Sequence, residues 1–189
     1  MADINLYLKN FKEDGSNKWF EKIYTLFLPR IYRYFYLRLF DHQQAEDLTS
    51  EVFIRVYKNL RKVNLNKRTF PPWIYRIASN LLIDYYRKNR RHGADKALEE
   101  IDDEVTVTDN NTFFENSPVL RKELGFENIK ILDAMGKLTE LQKDVVILKF
   151  VEDFDYMTIS NITGKRQPAV RAVLFRALTK LKEEIKDNK

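Results

Sequence analysis

Cysteine is absent from the 189 residues, and with it go a disulfide framework, a thiolate zinc site and a cysteine nucleophile. Packing must hold the fold, in keeping with a reducing compartment. Glycine and proline are scarce, 5 of each, so turn signals are few. That argues against a sandwich or barrel of many short strands and for long helices joined by short loops. The 2 histidines, His42 and His92, stand far apart, and there is no glycine-rich phosphate loop. An enzyme is therefore not expected, nor a catalytic residue, a metal site or a cofactor. No run reaches the roughly 18 uninterrupted apolar residues of a spanning helix. Met1-Ala2-Asp3-Ile4-Asn5 lacks the basic start of a secretory signal. The expectation is a cytoplasmic protein without membrane insertion.

What is present is apolar and aromatic: 44% of residues are hydrophobic, with 13 Phe, 10 Tyr and 2 Trp. That is too much surface to leave unburied, so the 32% charged residues do not make the chain disordered. Charge is distributed unevenly. Residues 1–92 hold 18 basic and 9 acidic residues, a net +9. Residues 93–125 hold 3 and 9, a net −6, and residues 126–189 hold 12 and 10, a net +2. The acidic middle, from Gly93 through Glu99, Glu100, Asp102, Asp103 and Glu104 to Ser117-Pro118, has no helical period and reads as a flexible linker. Each flank is a lobe of roughly 60 to 90 residues, a size that favours helix packing. The expected fold is therefore all-α, two small helical domains joined by the acidic linker.

In the first lobe, Leu48, Val52, Val56 and Leu60 recur every four residues from Ala45 to Leu60, with Phe53 and Tyr57 beside them. This is an amphipathic helix. Its other side shows Asp47, Ser50, Glu51, Arg55 and Lys58, either a solvated face or a dock for a protein partner. A second helix runs from about Trp73 to Arg91, entered through Pro71-Pro72, with Ile74, Ile77, Ala78, Leu81 and Tyr85 inward. Trp73, Arg76, Asn80, Asp84 and Arg87 share another side. Guanidinium groups neutralise phosphate, an amide can read a base edge, and flat rings can stack on unpaired bases. Tyr75, Tyr86 and the run Arg87 to Arg91 point the same way, although such aromatics also serve as core or as groups reaching from core to solvent. The preceding loop, 61–70, carries Lys62, Asn64, Asn66, Lys67 and Arg68 and could hold an extruded base.

In the second lobe, Thr139 stands three residues before Gln142, a capping arrangement, and Leu138, Leu141, Val145 and Leu148 form the buried side. A short helix from Tyr156 to Thr163 places Ile159 and Ile162 inward. Gly164 supplies the turn, and a basic helix from about Pro168 follows, with Val170, Val173, Leu174 and Leu178 inward. Helix, glycine turn and basic helix make a helix-turn-helix. Arg166, Gln167, Ala169 and Arg171 sit where such a unit meets base edges in the major groove, and an ordinary helical hairpin would show the same pattern.

The segments AEDLTSEVFIRVYKNL (45–60), WIYRIASNLLIDYYRKNRR (73–91), LTELQKDVVILKF (138–150) and FRALTKL (175–181), in that order around an acidic spacer, resemble a bacterial RNA polymerase sigma factor of the extracytoplasmic function type. The resemblance covers most of 19–92 and 126–185. It implies an initiation factor with a region 2 domain (19–92), a linker (93–125) and a region 4 domain (126–189), leaving 1–18 as an N-terminal extension without a role. It implies as partners core RNA polymerase, through its beta and beta-prime subunits, promoter DNA both duplex and single-stranded, and an anti-sigma factor. Asp47, Ser50, Glu51, Phe53 and Arg55 would then meet core polymerase. Asn64, Asn66, Arg68, Trp73, Arg76, Asn80 and Arg87 would meet the minus-ten element. Arg166, Gln167, Ala169, Arg171 and Arg176 would meet the minus-thirty-five element. A free-standing helix-turn-helix regulator is the alternative, read from the second lobe alone.

Overall fold

The computed structural model describes residues 3–91 and 129–187, and the expected acidic linker lies outside them. The chain divides into two compact units. Among the described residues every regular element is a helix.

The first unit is built from α1 (Ile4–Asp14), α2 (Asn17–Leu39), α3 (His42–Leu60) and α4 (Phe70–Arg91). The N-terminal segment, given no role above, is α1. Asp3 caps it, its carboxylate accepting from the N–H groups of Asn5 and Leu6 at 3.1 and 3.3 Å. Gly15 ends it at φ 65°. Leu8 and Phe11, on its inner side, are buried. The central helix α2 packs on α1, α3 and α4. Its last turns, Tyr34 through Arg38, are buried on every side, as a helix enclosed by neighbours must be. Rings knit the unit: Phe27 meets Phe70 edge to face at 4.9 Å, and Tyr34 meets Tyr75 at 5.5 Å.

α3 starts three residues earlier than its apolar period, because Asp41 accepts from Gln44 N–H at 3.0 Å and sets the entry at His42. Likewise α4 starts at Phe70, with Pro71 and Pro72 in its first turn, where their missing N–H groups cost nothing. Its inward residues are Ile74, Tyr75, Ala78, Leu81 and Leu82, whereas Ile77 and Tyr85 are half-buried.

The second unit is built from α5 (Ile129–Gly136), α6 (Glu140–Val146), α7 (Tyr156–Thr163) through Ser160, and α8 (Gln167–Asp187). α5 and α6 both pack against α8. The Thr139–Gln142 capping box is present in both directions, at 3.3 and 2.9 Å. α6 continues into one wide π-helical turn, Ile147–Val151, which the apolar pattern does not foretell. Val145, Ile147 and Leu148 are fully buried, while Leu141 is half-exposed. Lys143, 1% exposed, lies within the unit with its ammonium 3.0 Å from Glu140 Oε1. On α8, Val170, Val173 and Leu174 are inward as expected. Leu178 is not: it is 40% exposed, and Ala177 and Leu181 take the inner positions.

Candidate nucleic acid and partner interfaces

On α3, Asp47 and Ser50 are exposed and Glu51 is half-buried. Arg55 Nε donates to Glu51 Oε1 at 2.8 Å, one turn along. Both side chains are more than two-fifths exposed, so the pair adds only about 0.3–0.5 kcal/mol to the helix. It mainly fixes where the two charges stand. Phe53 does not join this face. It is 4% exposed and packs at 4.6 Å against Tyr24. A pocket of about 330 Å³ has Phe53 and Phe20 among its lining, with Tyr24, Ile54 and Tyr57 exposed around them. That apolar groove beside the charged face was not foreseen. The available signal was Ile54, two residues from both Val52 and Val56 and so off their stripe.

On α4, Arg76, Asn80, Asp84 and Arg87 are all exposed along one side, as their spacing requires. Arg87 Nη1 stands 3.4 Å from Asp84 Oδ1. Trp73 is half-buried, its ring 5.9 Å from Phe70. Tyr75 corrects the sequence reading: with no exposure it belongs to the core and offers no stacking surface. Tyr86 is half-buried and its hydroxyl donates to the Arg38 carbonyl at 3.4 Å. The side chains of Arg90 and Arg91 lie outside the described residues.

The loop between α3 and α4 exposes Lys62, Asn64, Asn66, Lys67 and Arg68. Asn66 does structural work in it. Its side-chain oxygen accepts from the N–H groups of Arg68 and Thr69 at 2.9 and 3.2 Å, and Thr69 Oγ1 accepts from Asn66 N–H at 2.9 Å. Between this loop and α1 opens a cleft of about 320 Å³, with Asn5, Lys9, Lys12 and Asn64 among its polar lining and Leu8 and Leu65 among its apolar lining. Glu13 also lines it, 3.9 Å from Lys9 Nζ, so the amides, the Lys12 ammonium and the apolar side chains are what suit a flat polar ring joined to a phosphate.

In the second unit α7 and α8 meet at Gly164, whose φ of 70° lets the chain turn. Ser160 Oγ donates to the Lys165 carbonyl at 2.6 Å, and the Gly164 N–H donates to the Ser160 carbonyl at 2.9 Å, so the turn is tied from both sides. Arg166, Ala169, Arg171 and Arg176 are exposed and Gln167 is half-exposed. The Arg166 carbonyl accepts from Val170 N–H at 3.0 Å, so the chain enters α8 at Arg166, whose own side chain has no acceptor with which to cap the helix. Gln167 and Arg171 share a face one turn apart. Arg176 lies two turns beyond Ala169, on its side, and does not join the first-turn cluster. The Arg171 guanidinium lies over the Tyr156 ring, 5.0 Å from its centre, with Lys149 Nζ 5.5 Å from the same ring. Tyr156 was not singled out above; its place one residue into α7 is the signal. Asp155 caps α7, accepting from Thr158 N–H at 2.7 Å. That backbone bond, then the Thr158 side chain, holds the carboxyl below its ordinary value of 3.8.

Among the described residues no three His, Asp or Glu side chains gather as a metal site would need, and no helix is long and apolar enough to cross a membrane.

Two family models match the chain: Sigma-70 region 2 over residues 23–92 and Sigma-70, region 4 over residues 128–181. The chain is 27% identical to the ECF RNA polymerase sigma factor BldN of Streptomyces coelicolor, over 92% of its own length and 63% of that protein's. It therefore spans less than two thirds of that relative. It is 28% identical to the ECF RNA polymerase sigma factor SigW of Bacillus subtilis over 97% of both chains, and 27% identical to SigM of the same organism over 86% of this chain and 92% of that one. Two solved structures share the fold. One is CnrH in complex with the cytosolic domain of CnrY, with TM-score 0.66, 17% identity and coverage of 99% of this chain and 100% of that one. The other is RpoE in complex with the anti-sigma factor NepR from Bartonella quintana, with TM-score 0.66, 19% identity and coverage of 90% and 98%.

Proposed function

The chain belongs to the sigma-70 family, as an RNA polymerase sigma factor of the extracytoplasmic function type, and from that premise we propose how its two units divide the work of directing core polymerase to promoters and opening them. The observation that carries the proposal is the order of the two matched regions along the chain, each coinciding with a helical unit that presents cationic and amide groups outward. The first unit meets core polymerase through Asp47, Ser50 and the Glu51–Arg55 pair on α3, with the apolar groove above Phe53 beside them. The same unit holds the unpaired minus-ten strand along Arg76, Asn80 and Arg87 of α4, with Trp73, Asn64 and Arg68 at the near end. Asn66 contributes by shaping the loop. The second unit reads the minus-thirty-five duplex with the start of α8, where Gln167 and Arg171 face base edges and Arg166 and Arg176 reach phosphate. The division follows from the substrates. A duplex groove is read by a rigid helix, whereas strand opening needs a surface that stabilises bases out of the stack. An anti-sigma partner, of the kind bound to RpoE in the Bartonella quintana structure, belongs to the same reading.

In vitro transcription with core polymerase and a promoter library tests the whole. Retention of core polymerase by the chain, and selective initiation, are expected. A chain that retains no polymerase yet binds one duplex sequence tightly would be a free-standing regulator instead. Within the first unit, Asn80→Ala should impair promoter opening more than polymerase binding. Equal loss of both would remove Asn80 from the strand-holding face.

A further inference from the structure

The loop between α3 and α4 shapes itself through Asn66 and Thr69, but those bonds tie residues 66–69 to one another and not to the body of the unit. Backbone bonds join its two ends to the flanking helices, Lys62 N–H to the Asn59 carbonyl at 2.9 Å and Phe70 N–H to the Asn66 carbonyl at 2.8 Å, and a further tie comes from α1, far away in sequence. Asn5 Oδ1 accepts a hydrogen bond from the Lys67 backbone N–H at 2.7 Å, across 62 residues. At the other end of α1, a Cβ built on Gly15 would stand 2.9 Å from Arg61 Nη1, so the first loop residue reaches the helix terminus closely. Between these two points α1 and the loop wall the cleft of about 320 Å³.

α1 is itself well founded. Leu8 and Phe11 are 5% and 1% exposed, and Phe11 packs on Phe20 and Tyr57 at 5.6 and 5.7 Å. The Trp19 indole N–H donates to Asp14 Oδ2 at 3.0 Å, closing the α1–α2 corner. α1 thus bonds the loop at Asn5 and passes close to Arg61 at Gly15, while its own anchoring lies elsewhere.

We infer that α1 is a strut that sets the shape of the 61–69 loop for the unpaired strand, and that Asn5 is its positioning residue. The inference rests on the strand-holding reading given above. Asn5 is exposed in the first turn of α1, and alanine there removes the tie to Lys67 without touching the Leu8–Phe11 packing. Asn5→Asp keeps an oxygen acceptor at the same place. The loss from Asn5→Ala should be about three- to fivefold, the factor that one net hydrogen bond supplies.

The test uses the full chain with core polymerase on a promoter recovered from the library, with Asn5→Ala, Asn5→Asp and Asn80→Ala compared for promoter opening, polymerase binding and melting temperature. Opening should fall about three- to fivefold in Asn5→Ala, with polymerase binding and melting temperature held, and recover in Asn5→Asp. Opening unchanged in Asn5→Ala while Asn80→Ala is impaired overturns the strut alone. So does a loss in Asn5→Ala that merely follows a fall in melting temperature. Full opening in Asn80→Ala overturns the strand-holding reading and the strut with it.

Discussion

Gly15 and Gly164 both stand in the left-handed region, at φ 65° and 70°, and both end a helix, yet their surroundings differ. A Cβ on Gly164 would meet nothing within 4 Å, so Gly164→Ala suffers backbone strain alone. Part of that strain is offset by a stiffer unfolded chain, and the net loss should be about 1 kcal/mol. Gly15→Ala carries the same strain, and the Arg61 guanidinium, the flexible end of an exposed side chain, can swing aside at little cost, so the loss should again be about 1 kcal/mol. The 2 tryptophans, Trp19 and Trp73, both belong to the first unit. Denaturant titration of the full chain should therefore show Gly15→Ala in tryptophan fluorescence. Gly164→Ala should leave that signal in place and shift the helix signal in circular dichroism. A fluorescence midpoint unmoved by Gly15→Ala would contradict this. Single residues also mark where pattern reading stops. Tyr75 and Trp73 look alike in the sequence as aromatics near a basic run, but only the packing of α2 against α4 buries one and leaves the other half-open.

At the scale of elements, α7 depends on its cap more than on its length, because a helix of 8 residues cannot hold its own first turn by propagation. Asp155 supplies the cap, and the Thr158 N–H, ahead of the Thr158 hydroxyl and the Lys149 charge, holds its carboxyl below 3.8. A folded-state value lowered in this way adds stability above the unfolded value and loses it as pH falls through the folded one. Asp155→Ala should therefore destabilise the second unit by about 1 kcal/mol at neutral pH. Asp155→Asn keeps an acceptor but no ionisation. Its deficit against the parent should begin to shrink below about pH 4, where the unfolded carboxyl takes up a proton, and go on shrinking as pH falls towards the lower folded value. Circular dichroism melts from pH 7 to 3 give the comparison, and a deficit that does not vary with pH would rule out the charged cap.

The same scale shows what the residues announce. α3 and the α7–α8 pair were legible because their apolar period, capping residues and Gly164 agree with one another. α1 was equally readable in principle, since Ile4, Leu8 and Phe11 lie at helical spacing between Asp3 and Gly15. Its tie to the distant loop, through Asn5 and Lys67, was not, because no local pattern encodes a bond across 62 residues. The π-helical turn after Val146 was likewise hidden: Ile147 and Leu148 are buried within it, and their apolar spacing is the same as in an ordinary α-helix. A repeat of four from Val170 through Leu174 points Leu178 inward, whereas α8 turns Ala177 and Leu181 to its partners.

For the whole molecule, the decisive quantity is where charge of each sign falls along the chain. Residues 1–92 carry a net +9, whereas residues 93–125 carry a net −6. A basic unit by itself attracts any duplex through phosphate, releasing counterions, and that attraction falls steeply with salt. Base reading does not fade in the same way, so selectivity should survive conditions under which bulk affinity has gone. The full chain without polymerase should therefore bind mixed-sequence duplex weakly, with the logarithm of affinity falling linearly against the logarithm of salt. Arg76, exposed on α4, should account for about one phosphate, so Arg76→Ala should flatten that slope by about 1. Arg87 stands 3.4 Å from Asp84 in a pair more than half exposed on both sides. Such a pair is held by less than about 1 kcal/mol, so phosphate can draw Arg87 away, but part of its gain is spent on that exchange. Arg87→Ala should accordingly flatten the slope less than Arg76→Ala does. Titrations by fluorescence anisotropy at about 50 to 200 mM salt resolve the two. Equal slopes for the parent and Arg76→Ala would mean that this face of α4 meets no phosphate when the chain acts alone.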